Sequence, residues 1–473
     1  MLARTDKLTF RYPQGRQSLY PVDLQVAPGE LWLVQGASGC GKSTLARCLS
    51  GLIPHLYHGQ LQGEVWLNGN RSQELQLWQL AERVGMVFQN PSAQMLASTV
   101  EDEIIFGLEN LGLGRTVITN RLEAVLDQFQ LQRLRRRSPH TLSGGEQQKL
   151  ALAAIVARQP QLLVFDEPLS MLDSTAASEL VDYIASLPAN GRSAVIFEHR
   201  HDYLAHLPAL QKQGLACPAA MPAIPDIHLP MDQQPEFGLN LQAVSVRLGE
   251  RAVLKDLNLD FAGGQLVAIV GRNGVGKTTL LRVLAGLQSH AGRVVVSGSS
   301  HLARPDLGLV FQNPDLQIFN PSVRQEILYR LPEPDLAFYQ ALVQALGLAE
   351  YEEKPPLLLS EGEKKRLALA IMLMRRPRHG ILLDEPSLGQ DERHKQILMR
   401  LLKSVVAAGY LVVMTTHDLG LAAQADRLLV LGEAGFLADG PPTQVFADSR
   451  PWQQAGILLP DWFRASLGEA VAP

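Results

Sequence analysis

Short apolar runs punctuate the chain, and they come in pairs. Residues 31–34 and 266–270, 162–165 and 381–383, and 194–197 and 411–414 are each unbroken by a polar residue. Runs of this length without alternation suit strands buried on both faces of a parallel sheet. Alternating segments, LTFRY at 8–12 and EVWLNG at 64–69, predict strands with one solvated face. VVVSG at 294–298 takes the place of EVWLNG in the second half. Helical periodicity follows at 45–49 and 280–284, and a longer helical pattern spans roughly 116–137. The predicted class is α/β: two tandem domains, each a mainly parallel sheet core with an antiparallel β part and a helical insertion.

The pairing extends to motifs. Lys42 and Lys277 lie 235 residues apart, and the FQNP segments at 88–91 and 311–314 lie 223 apart. Ser143 and Ser360 of the LS-x-G-E segments are separated by 217, Asp166 and Asp384 by 218, and His199 and His417 by 218. Five motifs in one order, with length differences mainly before LS-x-G-E, mark a duplicated domain rather than a short-period solenoid. The stretch 204–237 holds six prolines and four charged residues and reads as a linker. The domains are therefore placed at 1–203 and 238–473. The strand-and-turn sequence RLLVLGEAGFLADGPP after His417 has no counterpart after His199, so the first half reads as trimmed at its C-terminal end.

Two glycine-rich segments carry the first chemistry. Gly36, Ala37, Ser38, Gly39, Cys40, Gly41, Lys42, Ser43 and Thr44 return as Gly271, Arg272, Asn273, Gly274, Val275, Gly276, Lys277, Thr278 and Thr279. Both match G-x-x-x-x-G-K-[ST] between a strand pattern and a helix pattern, the context a phosphate loop requires. The glycines let backbone N–H groups approach phosphates, and the helix N-terminus adds partial positive charge. Lys42 and Lys277 would neutralise the β- and γ-phosphates, and Ser43 and Thr278 would ligate Mg²⁺.

The full order is a phosphate loop, a glutamine in VFQNP, LSGGE, an apolar strand ending in DEP, and a histidine after another strand. It resembles the ATPase domains of ATP-binding cassette (ABC) proteins over almost the whole chain, twice. The resemblance implies ATP and Mg²⁺ as ligands. Asp166 and Asp384 would hold the metal, with Gln89 and Gln312 reaching both metal and water. Glu167 and Glu385 would polarise the attacking water, and His199 and His417 would hold the γ-phosphate and water together. It also implies that two cassettes pair head-to-tail around two ATPs, here within one chain. Ser143 and Gly145, or Ser360 and Gly362, would then face the phosphate held by the other half. Tyr12 is a candidate to stack on adenine, while the aligned stretch around Val246 lacks an aromatic.

Three departures qualify this picture. Glu361 stands where the first half has Gly144, and an added carboxylate near phosphate is unfavourable unless it is screened or turned away. Two hydrolysing sites of unequal rate are expected. Cys40 lies inside a phosphate loop, either as a small residue that fits or as an activated thiol. The run RLRRR at 133–137 reads as a solvated helix end, with a phospholipid or partner contact as the alternative.

A net charge of −4 and a nearly uncharged linker argue against a nucleic-acid binder. Three cysteines without C-x-x-C suit a reducing compartment. With no apolar stretch of about 18 residues, any membrane role would be peripheral, at the cytoplasmic face. FQNPSAQM and FQNPDLQI each place a second glutamine, Gln94 and Gln317, after the first. This resembles the energy-coupling factor (ECF) branch of ABC importers. That branch implies a transmembrane coupling protein, a small membrane substrate-capture protein, and uptake of a vitamin or transition-metal ion. Substitutions at Gln94 and Gln317 would then uncouple transport. The alternatives are the duplicated ATPase of another importer, such as a sugar transporter, or a soluble twin-cassette protein acting on ribosomes or DNA.

Overall fold

The computed structural model describes residues 1–13, 17–36, 39–89, 91–170, 172–198, 201–204, 207, 209–216, 233–234, 236–249, 251–298 and 305–459. The chain divides into two compact units, Met1–Met221 and Pro222–Pro473.

In the first unit the unbroken apolar runs form a parallel sheet. Its order is Val84–Val87, Leu162–Asp166, Ser193–Phe197, Leu31–Gln35 and Leu210–Gly214. Successive residues alternate between two cores, as strand geometry demands. Leu31, Leu33, Leu163, Phe165 and Ile196 pack beneath helices that include Val100–Glu109, Arg115–Gln128, Gly144–Ala157 and Ser174–Ser186. Val34, Val164, Val195 and Phe197 face the other way, toward the helix Lys42–Leu49. That helix is itself covered by Leu8, Phe10, Leu19 and Leu24 of an antiparallel sheet ordered Gln17–Val26, Ala3–Arg11, Gln60–Leu67 and Asn70–Arg71. The helix after the phosphate loop is thus buried between two sheets and cannot shift without disturbing both.

The second unit repeats the plan. Its sheet runs Leu307–Val310, Gly380–Asp384, Leu411–Thr415, Leu266–Val270, Arg427–Gly432 and Gly435–Gly440, with the last strand antiparallel. The accompanying antiparallel sheet is Arg251–Ala262, Phe237–Leu248 and Ala291–Gly298. Helices Pro442–Ala447 and Ser449–Ala455 close the unit. Trp452 stacks on Phe446 at 4.8 Å and donates its indole N–H to Val445 O (2.9 Å). Of the apolar C-terminal sequence, Ile457 and Leu459 pack on this unit's own core; residues 460–473 lie outside the described residues.

Two sequence expectations change. The strand Leu210–Gly214, inside the stretch read as linker, pairs in parallel with the strand that feeds the first phosphate loop. It occupies the place that Arg427–Gly432 takes in the second unit. LQKQG escaped notice because it is an edge strand whose residues are exposed or half-buried, so no apolar run marks it. The first unit is therefore less trimmed than its sequence implied. Among its described residues, it lacks counterparts to Gly435–Gly440 and to the helices Pro442–Ala447 and Ser449–Ala455. The helical pattern at 116–137 also ends early, at Gln128. Gln130 adopts φ 57°, and Leu131 N–H turns back to Leu126 O (2.8 Å), closing the helix with a left-handed residue.

Gly380 opens the strand that delivers Asp384. Its φ is +146°, and a Cβ there would lie 1.9 Å from Leu411 O on the neighbouring strand. Gly380→Ala should destabilise the second unit by about 3 kcal/mol, read as a lowered thermal or denaturant midpoint for that unit's transition.

Candidate functional site

Each phosphate loop starts its helix from a left-handed glycine, Gly41 (φ 99°) or Gly276 (φ 115°). A Cβ at Gly41 would stand 2.3 Å from Ser18 O, and one at Gly276 would stand 2.8 Å from Leu254 Cδ2. The positive φ and the close approach of the neighbouring strand need glycine at this point. The loop lysine curls back over its own loop. Lys42 Nζ donates to Gly36 O (2.7 Å), and Lys277 Nζ donates to Gly271 O (2.7 Å) and Arg272 O (3.2 Å). Both side chains are buried at the mouth of the helix N-terminus, so the ammonium and the backbone donors converge on one place. Ala37, Ser38 and His199 lie outside the described residues.

The strand ends supply the carboxylates. Ser43 Oγ donates to Asp166 Oδ1 (3.0 Å), and Thr278 Oγ1 donates to Asp384 Oδ2 (2.7 Å). A hydroxyl and a carboxylate meeting at a phosphate loop form a hard-oxygen set that fits Mg²⁺ completed by substrate phosphates. Burial and the neighbouring Glu167 push the Asp166 carboxyl up to about 6. Burial also pushes Asp384 up, against the hydrogen bonds from Thr415 and Thr278. A cation at the site would reverse this cost.

Glu167 and Glu385 follow directly, both in left-handed backbone conformation, with φ 49° and 51°. Non-glycine residues rarely occupy this region, and here it turns the side chain away from the strand direction. The two halves then differ. Gln89 Nε2 donates to Glu167 Oε2 (2.8 Å). Gln312 is exposed, and Glu385 instead takes His417: its Oε2 accepts the His417 backbone N–H (3.2 Å), and Oε1 lies 3.2 Å from the imidazole Nε2. That Nε2 is also 3.2 Å from Lys277 Nζ, so one ring nitrogen stands between the loop lysine and the glutamate. Glu385 Oε1 remains a buried acceptor without a hydrogen-bond donor among the described residues, the position from which a water can be polarised. Burial pushes the Glu385 carboxyl up, and Lys277 and Lys365 pull it down.

Ser143 and Ser360 cap the helices Gly144–Ala157 and Glu361–Met374 through capping boxes with Glu146 and Glu363. Gly145 and Gly362 lie in the first turns, and a Cβ on Gly362 would meet Gly389 O at 2.9 Å. Tyr12 packs edge-on against Phe10 (4.8 Å) and accepts from Arg47 Nη1 (2.9 Å). The strand registers Phe10↔Leu19 and Val246↔Leu254 make Leu248 its counterpart, an exposed apolar residue rather than an aromatic one. Cys40 is 1% exposed, with Sγ filling the space beside Gly36, which closes the thiol off from solvent. Three of the four arginines in the RLRRR run make local bonds: Arg135 pairs with Glu101 and Glu123 (2.7 Å each), Arg136 with Glu101 (3.1 Å), and Arg137 donates to Thr141 O (2.9 Å).

Gln94 and Gln317, expected to couple hydrolysis to transport, spend their side chains within their own unit. Each amide clamps the strand end before its glutamine. Gln94 bridges Phe88 N and Met86 O (3.3 Å each), and Gln317 bridges Phe311 N (3.0 Å) and Leu309 O (2.9 Å). The residues turned to solvent are Leu96 (75% exposed), Leu316 (69%) and Phe319 (66%). Sequence reading also missed Glu103 and Glu326, buried carboxylates that each accept two backbone N–H groups of these loops. It missed Asp173 and Asp391 as helix caps, although their separation of 218 repeats that of Asp166 and Asp384. Thr415 escaped because its counterpart in the first half is Phe197. Its Oγ1 donates to Asp384 Oδ1 (2.6 Å) and accepts from Glu385 N (3.1 Å). Thr415→Val keeps the shape and removes both bonds. It should raise the Mg²⁺ concentration needed for half-maximal turnover about tenfold, measured by metal titration of ATPase activity.

Comparison with known proteins agrees with this geometry. The family described as ABC transporter matches residues 19–170 and 254–388. A Bacillus subtilis (strain 168) protein named "Putative HMP/thiamine import ATP-binding protein YkoD" is 33% identical, covering 97% of this chain and 95% of that protein. A Treponema denticola protein named "Putative ABC transporter ATP-binding protein" is 35% identical over 90% of this chain and 94% of its own length. Among solved structures, a chain in "Model of ribosome-bound archaeal Pelota and ABCE1" shares the fold, with TM-score 0.64 and 20% identity, covering 98% of this chain and 81% of that one.

Proposed function

The chain belongs to the ABC transporter family and is an ATPase of that family; from this premise we propose that it is the energy-coupling subunit of an importer of the ECF type. The observation that carries the reading is the duplicated oxygen set, a phosphate-loop hydroxyl bonded to a strand-end aspartate with a glutamate beside it. In this reading the phosphate-loop amides and Lys42 or Lys277 bind the triphosphate. Ser43 with Asp166, and Thr278 with Asp384, would hold Mg²⁺, joined by Gln89 in the first site and Gln312 in the second. The ion, when bound, neutralises charge on the transferring phosphoryl group. Glu167 or Glu385 draws a proton from water as its oxygen attacks the γ-phosphorus, and ADP leaves with the bridging oxygen. His417 orients Glu385 while keeping contact with Lys277.

Coupling to transport rests on Leu96, Leu316 and Phe319, apolar side chains in solvent just beyond the glutamines. They offer a docking face for a transmembrane coupling protein, with a small capture protein binding the substrate. The relative named for HMP/thiamine import favours a vitamin over a metal ion as cargo. No helix among the described residues is long and apolar enough to cross a membrane, so membrane attachment would be peripheral and through partners.

The direct test is purification of the tagged chain from detergent-solubilised native membranes. A multi-helix membrane protein with a second hydrophobic capture subunit supports the reading, while ribosomal proteins or nucleic acid in their place overturn it. Leu316→Ser combined with Phe319→Ser should cut transport by the reconstituted complex at least tenfold. The ATPase rate of the isolated chain should stay within twofold. Glu167→Gln and Glu385→Gln should lower turnover unequally, because the two glutamates are held by different partners. Equal steady-state losses would refute that inequality.

A further inference from the structure

Among the positions at which the two signature helices differ, two lie one turn from each other and bring opposite charges. The first half has Gly144 and Gln148; the second has Glu361 and Lys365. Lys365 is buried, and its Nζ donates to the main-chain carbonyl of Glu385 at 2.6 Å. Burial pushes this ammonium down to about 8, while Glu385, Glu361 and Asp384 hold it up. A buried cation persists where carboxylates surround it and its hydrogen bonds are made. Glu361 is therefore one of the charges that keep Lys365 ionised, and Lys365 supplies the screening that an added carboxylate at this turn requires.

The bond to Glu385 falls where the backbone is most constrained. Glu385 holds φ 51°, and its N–H is bonded to Thr415 O (3.2 Å) and Thr415 Oγ1 (3.1 Å). Lys365 pins the carbonyl at the other end of the same residue. The first half holds the same carbonyl through Ser170 Oγ (2.8 Å), where the second half has Leu388, and holds the side chain through Gln89. In the second half Gln312 is exposed and Glu385 Oε1 accepts no hydrogen bond among the described residues. Orientation of Glu385 thus depends on its backbone and on His417.

We infer that Lys365 is a positioning residue for Glu385: by holding the Glu385 carbonyl it fixes the left-handed turn that aims the carboxylate, a part played in the first half by the Ser170 hydroxyl on the Glu167 carbonyl. The inference rests on Glu385 serving hydrolysis as proposed above, so Glu385→Gln is measured alongside. In steady-state ATPase assays of the full chain, Lys365→Met should reduce kcat to within threefold of Glu385→Gln, with KM for ATP within twofold of the parent. Lys365→Gln installs the first-half residue and an amide donor, and should recover at least half of the parental kcat. Adding Lys365→Met to Glu385→Gln should cause no further loss, since both act through one group. Parental kcat in Lys365→Met beside an impaired Glu385→Gln overturns the positioning role and leaves the reading of Glu385 standing. Parental kcat in Glu385→Gln overturns both. Should Lys365→Met not fold, Lys365→Gln decides: a raised KM at unchanged kcat, or a loss that multiplies with that of Glu385→Gln, overturns the inference.

Discussion

A hydroxyl bonded to a buried carboxylate organises each half of this molecule. Ser43 and Asp166 are 123 residues apart in the chain, and Thr278 and Asp384 are 106 apart, yet each pair meets within 3.0 Å. One partner rides on the helix after the phosphate loop, and the other ends a strand separated from the loop's own strand by one neighbour. An aspartate that is nine-tenths or so buried is costly unless its oxygens are satisfied. The pair is satisfied only when the register of three parallel strands is correct, and a slip by one residue would send every side chain to the opposite face. Sheet register, the seat of the helix between two cores, and the geometry offered to a phosphate are thus a single constraint.

What the sequence revealed and what it hid follow from how each element is stabilised. Strands buried on both faces leave continuous apolar runs, so 162–165 and 411–414 could be placed from composition alone. Leu210–Gly214 bonds through its backbone at a sheet edge and needs few apolar side chains, so a stretch rich in proline and glutamine concealed it. The phosphate loops and strand-end carboxylates were legible because their chemistry requires fixed residue types at fixed spacing. Thr415 and Lys365 were not, because each acts across strands or between a helix and a turn, and each replaces a residue of different character in the other half. Gln94 and Gln317 show the converse: their repetition was legible, but an amide that clamps a strand end and one that faces a partner look alike in sequence.

The two halves share a plan but not its details. Gln89 holds Glu167 directly, whereas Glu385 is held by His417 and by backbone bonds. Tyr12 faces the first phosphate-loop helix, and Leu248 stands at the matching register in the second unit. Each difference leaves the oxygen set intact, so the halves have diverged around the phosphate chemistry rather than within it.

Glu361 and Lys365 illustrate what duplication permits. In a protein assembled from two identical subunits, every substitution arrives twice, and a change tolerable in one site must be tolerable in both at once. Here each cassette is inherited separately within one continuous chain. A carboxylate that would burden a phosphate site can enter one copy, be matched by a cation a single turn away, and persist while the other copy keeps glycine and glutamine. Covalent linkage turns a symmetric machine into one whose two halves can be selected for different work.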